Sequence, residues 1–142
     1  MSEQKKIGGV IVSHGRVANE LLAAAETVVG ELNHIAAVSI GWNDDVETAK
    51  EQIAKAIKKV SKGKGVLLLT DMFGGTPTNI SAMYIAEGEV EIVTGVNLPM
   101  VIKLASQHKE MSLIEMAKEV EEQGKNAIYR ASELLVPQKA AK

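Results

Sequence analysis

The chain contains no cysteine, which excludes disulfides, thiol nucleophiles and thiolate metal sites. Aromatic residues make up only 3% of its 142 residues, against 46% hydrophobic residues overall. The core must therefore be built from aliphatic side chains. Excess charge is lacking too: the formal net charge is −2, and no basic run approaches the patches that draw nucleic acid or anionic membrane. No apolar run is long and uninterrupted enough to span a bilayer. The polar start, Met1–Lys6, has no hydrophobic segment resembling a signal peptide. These absences predict a cytoplasmic protein. The length suits one domain, residues 1–142, with a core over about 6–125 and a C-terminal segment and tail over 126–142.

What the chain does have is alternation. Four short apolar runs, Ile7–Val12, Ile35–Ile40, Val66–Thr70 and Val90–Thr94, are separated by helical patterns. Val17, Leu21, Leu22, Ala25, Val28 and Val29 keep a helical period that Gly30 closes. Asp44 stands at capping-box spacing from Glu47, ahead of a face of Val46, Ala49, Ile53, Ile57 and Val60. Thr76-Pro77 reads as an N-cap and first helical residue, and Pro99 opens another helix through about Ser106. Ser112 and Glu115 cap a last long helix that Gly124 is expected to stop. Residues 125–135 suit either strand or helix, and Pro137–Lys142 reads as a frayed tail. The pattern predicts an α/β fold: a doubly wound, mainly parallel sheet of order 2-1-3-4, with helices on both faces.

In such a sheet, strands 1 and 3 are neighbours at the switch point, where ligands gather at carboxyl ends. His14 follows the first strand and Asp71 the third, so a hydrogen bond between them is geometrically cheap. A carboxylate on one ring nitrogen fixes the tautomer and leaves the other as a free lone pair. That nitrogen can be a nucleophile, a base or a metal ligand. Gly74-Gly75-Thr76 can be a plain turn into a helix, or a loop whose amides and hydroxyl approach an anion such as phosphate. Neither a Walker lysine motif nor a G-x-G-x-x-G fingerprint is present, so phosphoryl carriage on histidine fits better than nucleotide binding.

Two other chemistries fare worse. A serine hydrolase would need Ser13, yet consecutive strand residues point to opposite faces, and no G-x-S-x-G elbow occurs. His34 and His108 lack ligand spacing to each other or to His14 and read as solvated surface residues, so no metal or cofactor is expected. Asn97 and Pro99 read as a helix start that also walls the site. Trp42 is read three ways: a rim contact, a dimer contact or packing.

Ser-His-Gly after strand 1, Thr-Asp-Met-Phe-Gly-Gly-Thr-Pro-Thr-Asn after strand 3 and Thr-Gly-Val-Asn-Leu-Pro-Met after strand 4 occur together. The set resembles the mannose-type (mannose, fructose, sorbose) IIA proteins of the bacterial phosphotransferase system over roughly residues 6–125. The resemblance implies that His14 accepts a phosphoryl group from phospho-HPr on Nε2 and passes it to a IIB protein. It implies Asp71 as the carboxylate on Nδ1, and a homodimer that meets the membrane only through a permease complex. Some relatives carry a fused IIB domain. Here about 142 residues leave no room for one, so IIB is expected to be separate or absent. If absent, the alternative is a phosphorylation-state sensor or phosphate-binding module without sugar transport.

Overall fold

The computed structural model describes residues 5–41, 43–85, 88–107 and 109–140. Strands β1 (Gly8–His14), β2 (Ile35–Ile40), β3 (Val66–Thr70) and β4 (Val90–Thr94) form one sheet in the order β2-β1-β3-β4. Every pairing is parallel, as the alternation predicts. Helices α1 (Val17–Val29), α2 (Val46–Val60), α3 (Gly75–Ser81), α4 (Leu98–Ala105), α5 (Leu113–Asn126) and α6 (Ala131–Ala140) complete the described elements, with a short 3₁₀ turn over Ala82–Tyr84. No helix among the described residues is long and apolar enough to cross a membrane.

Side chains alternate along the central strands, and that alternation divides the core in two. Ile7, Ile11, Leu67 and Leu69 meet Ala18, Ala25, Met100, Val101, Leu104, Met116 and Val120 of α1, α4 and α5. Val10, Val12, Val66 and Leu68 meet Ala49, Ile53, Ala56, Val60 and Ile80 of α2 and α3. The strand β1 opens with two glycines because helices press on it from both faces. A Cβ at Gly8 would lie 2.4 Å from the Val60 carbonyl oxygen, and one at Gly9 would lie 2.4 Å from Leu104 Cδ2.

Caps set the helix boundaries, and some differ from the sequence reading. Asp45, not Asp44, caps α2 by accepting from the Thr48 amide at 2.8 Å. Asp44 instead takes the Gly41 amide at 2.6 Å, closing the loop after β2. Asn97 caps α4 through the Met100 amide, and Ser112 with Glu115 forms a reciprocal capping box on α5, both as expected. Gly124 does not stop α5. It is buried inside the helix, where a Cβ would lie 2.5 Å from Met100 Sδ. Its small size serves close contact between α4 and α5 rather than termination. The ambiguous segment is helical at both ends, in the last turn of α5 and in α6, and α6 runs into the stretch read as a tail.

Candidate functional site

The site grows from two strand ends. Strand β1 is buried from Gly8 to Ser13 and emerges at His14, its last residue. Strand β3 is wholly buried and stops at Thr70, which leaves Asp71 as the first residue of the next loop. Because β1 and β3 pair directly, with Val12 opposite Thr70, His14 and Asp71 emerge side by side. One oxygen of Asp71, Oδ2, accepts from the His14 backbone amide at 2.9 Å and holds Nδ1 of its ring at 2.8 Å. A carboxylate only accepts, so Nδ1 carries the proton and Nε2 carries the lone pair. Nε2 makes no hydrogen bond among the described residues. The side chains are unequally exposed, His14 at 50% and Asp71 at 17%: the carboxylate is a largely buried anchor and the ring is half-exposed.

The loop after β3 curls over the free nitrogen. A Cβ at Gly75 would fall 3.1 Å from both Cε1 and Nε2 of His14, and the residue holds φ +80°. Only glycine meets both conditions without strain. Gly74 before it has φ +87° with open space around it, and is itself the N-cap of α3. The sequence pattern predicts Thr76 at the cap and Pro77 first in the helix. The structure starts α3 earlier, at Gly75, so Thr76 stands in the first turn with its side chain exposed.

The loop is pinned from below by Thr78, a member of the motif whose role the sequence does not reveal. Thr78 Oγ1 donates to the Met72 carbonyl at 2.6 Å and lies 3.1 Å from Thr70 Oγ1. This buried threonine ties α3 to both ends of the Asp71 turn. Its signal in the sequence was a second threonine across Pro77, facing the Thr70 that precedes Asp71. Ser13 is committed elsewhere: its buried hydroxyl accepts from the Ala18 amide at 2.7 Å and serves the start of α1. That removes it as a nucleophile beside His14.

His34 corrects the reading of a solvated surface histidine. It is only 8% exposed, immediately ahead of β2 and thus at the amino edge of the sheet, away from His14. Burial, then the positive charge of Lys6, lowers its pKa below the ordinary value, and a backbone hydrogen bond with Leu104 opposes them. His108 and Trp42 lie outside the described residues. Among the described residues no group of three or more His, Cys, Asp or Glu side chains could hold a metal ion. Two clefts of about 580 and 480 Å³ are not lined by His14. The smaller one adjoins its loops through Phe73, Gly95 and Asn97.

This geometry is an exposed imidazole, polarised from behind, with backbone drawn close to its free nitrogen. Comparison with known proteins finds the same family over the same segment. Residues 8–121 match the model of the EIIA-man family, described as PTS system fructose IIA component. The chain is similar to the PTS system fructose-specific EIIA component of Bacillus subtilis, with 29% identity over 95% of this chain and 93% of that one. It is 31% identical to the mannose-specific EIIAB component of Escherichia coli over 84% of this chain and 38% of that longer protein. Among solved structures, the mannose/sorbose-specific IIA subunit from Enterococcus faecalis superposes with a TM-score of 0.79 at 32% identity. That match covers 88% of this chain and 94% of the other. The chain belongs to the mannose-type EIIA family, the phosphoryl-carrying components of the sugar phosphotransferase system.

Proposed function

We propose that residues 1–142 act as one EIIA domain that takes a phosphoryl group from phospho-HPr on His14 Nε2 and delivers it to a IIB protein. The observation that carries this is the division of labour on one ring. Nδ1 of the half-exposed ring is held by Asp71 at 2.8 Å, while Nε2 stays unbonded among the described residues. In the first transfer the Nε2 lone pair forms a new N–P bond as the donor's bond to phosphorus breaks. The electron pair of the broken bond returns to the donor. The Nδ1 proton stays in place, and Asp71 stabilises the positive character that the ring acquires. Transfer to IIB reverses these steps against a new acceptor.

Gly74, Gly75 and Thr76 are assigned to the phosphoryl oxygens. Gly75 lies against Nε2, and the exposed Thr76 hydroxyl makes no described hydrogen bond. Exposure favours a protein as donor over an enclosed small substrate. Val17, Met72 and Phe73 follow His14 and Asp71 in the chain and are 47%, 55% and 82% exposed, an apolar presence suited to docking. The working form is a cytoplasmic homodimer that reaches the membrane only through its permease.

The test is labelling with phosphoenolpyruvate, enzyme I and HPr. The wild-type protein gains one acid-labile, base-stable phosphoryl group and passes it to IIB, and His14→Ala gains none. Label that survives His14→Ala overturns the site, and wild type that a competent donor never labels overturns the carrier. Label that reaches His14 but no IIB protein favours the phosphorylation-state sensor.

A further inference from the structure

Phosphorylation sets a charge problem at this edge of the sheet. The group brings roughly −1.5 to −2 charges near neutral pH, and it arrives on a ring that already touches Asp71. The loops leaving the carboxyl ends of β1–β4 span residues 15–16, 41–45, 71–74 and 95–97. They contain three aspartates, Asp44, Asp45 and Asp71, and a single cation, Arg16. All three aspartates are engaged with local donors: the Gly41 amide, the Thr48 amide and His14 respectively.

Arg16 is not engaged in that way. Its side chain is 80% exposed, and its described ion pair is a loose one to Glu20, at 3.7 Å, with Glu20 itself 70% exposed. Such a pair contributes little to stability and is readily exchanged. The backbone beneath it is fixed, since Arg16 precedes α1 and its carbonyl accepts from the Glu20 amide at 3.1 Å. Gly15, at φ +56°, turns the chain between His14 and Arg16. Two residues of backbone span at most about 7 Å, a distance that an extended arginine side chain can cover. The guanidinium presents several N–H donors in a planar fork that matches phosphate oxygens and never loses its charge.

Resting on the carrier reading above, we propose that Arg16 is the residue that receives the phosphoryl charge. When His14 is phosphorylated, the Arg16 guanidinium leaves Glu20 and pairs with the phosphoryl oxygens on Nε2, stabilising the loaded carrier. No bond to Arg16 forms or breaks and no proton moves. Glu20 is then a competitor that holds Arg16 in the unloaded state.

The transfer equilibrium with HPr tests this, because an equilibrium constant depends on the loaded and unloaded states and not on how the partners dock. Arg16→Gln should lower the phosphorylated fraction set by a fixed phospho-HPr/HPr ratio, with the constant falling about fivefold to tenfold. Arg16→Lys should recover part of the loss, as a point charge without the fork. Glu20→Gln should move the constant the other way. Phosphorus NMR gives a readout free of HPr: the ionisation of the phosphoryl group on isolated phosphoprotein should shift to higher pH in Arg16→Gln. If wild type is labelled on His14 but Arg16→Gln leaves both the constant and that ionisation unchanged, the proposal is overturned and the carrier reading stands. An increase in KM for phospho-HPr alone would overturn it in the same way, placing Arg16 on the donor's docking face. Wild type that is never labelled overturns both.

Discussion

At the scale of single residues, the site is organised by one carboxylate oxygen and one missing side chain. Asp71 Oδ2 orients His14 through two bonds, and Gly75 lets the chain approach Nε2 where any Cβ would intrude at 3.1 Å. Two glycines in this loop have positive φ, which separates strain from obstruction. Alanine at either position costs on the order of 1–3 kcal/mol in backbone strain, yet only a Cβ at residue 75 meets the imidazole. Gly75→Ala should therefore lose at least about tenfold more phosphorylation rate than Gly74→Ala at equal loss of melting temperature. Equal losses in labelling would mean that the loop, and not the approach to Nε2, limits transfer. His14 and Asp71 were legible in the sequence because they stand just past a β-branched and a leucine run, at neighbouring strand ends whose separation chain topology alone sets. Thr78 was not legible. Its role depends on α3 starting at Gly75, which points its hydroxyl back at Met72, and helix starts are set by competing caps within a few residues of each other.

At the scale of elements, the same competition explains why some boundaries were readable and others were not. Ser112 and Glu115 have no rival nearby, so their capping box stands as read. Asp44 and Asp45 are adjacent rivals. The structure gives the helix to Asp45 and the loop to Asp44, and the Thr48 amide and hydroxyl hold the Asp45 carboxyl below its usual pKa. Glycines were the least readable signal, because a glycine that permits contact looks like one that ends a helix until the neighbour is known. Gly124 faces Met100, and Gly8 faces the last turn of α2. The two glycines of β1 make a graded test. A methyl group at Gly8 strikes backbone, the Val60 carbonyl, whereas one at Gly9 strikes the movable end of Leu104. Overpacking costs typically about 1–3 kcal/mol. Gly8→Ala should sit at or above the top of that range and Gly9→Ala near its bottom, measured by urea unfolding. The reverse order would mean that α2 shifts away from β1 more easily than Leu104 changes rotamer.

At the scale of the whole molecule, the two edges of the sheet do different work. The carboxyl edge keeps His14 open to partners, and the amino edge encloses His34. Topology made the first of these readable: a 2-1-3-4 order places the ends of β1 and β3 together whatever the side chains. The second was unreadable because His34 lies among Glu31, Leu32 and Asn33, and its burial, with a backbone hydrogen bond to Leu104, comes only from the tertiary fold. That enclosure has a consequence for global stability. Burial first, and the Lys6 charge second, lower the folded-state pKa of His34, so the native protein favours the neutral ring. The unfolded chain, with an ordinary histidine near pH 6.5, binds more protons as pH falls below that value. Stability contributed by the neutral ring is thus fully present above about pH 6.5 and declines from there down to the lower folded pKa. Comparing wild type with His34→Gln by urea unfolding between pH 7.5 and 5 cancels the titrations the two proteins share. The stability of wild type should fall more steeply than that of His34→Gln, and Lys6→Gln should reduce the extra slope, since it removes the second cause and leaves burial. Parallel stability curves for wild type and His34→Gln would show that the buried ring accommodates its proton without cost.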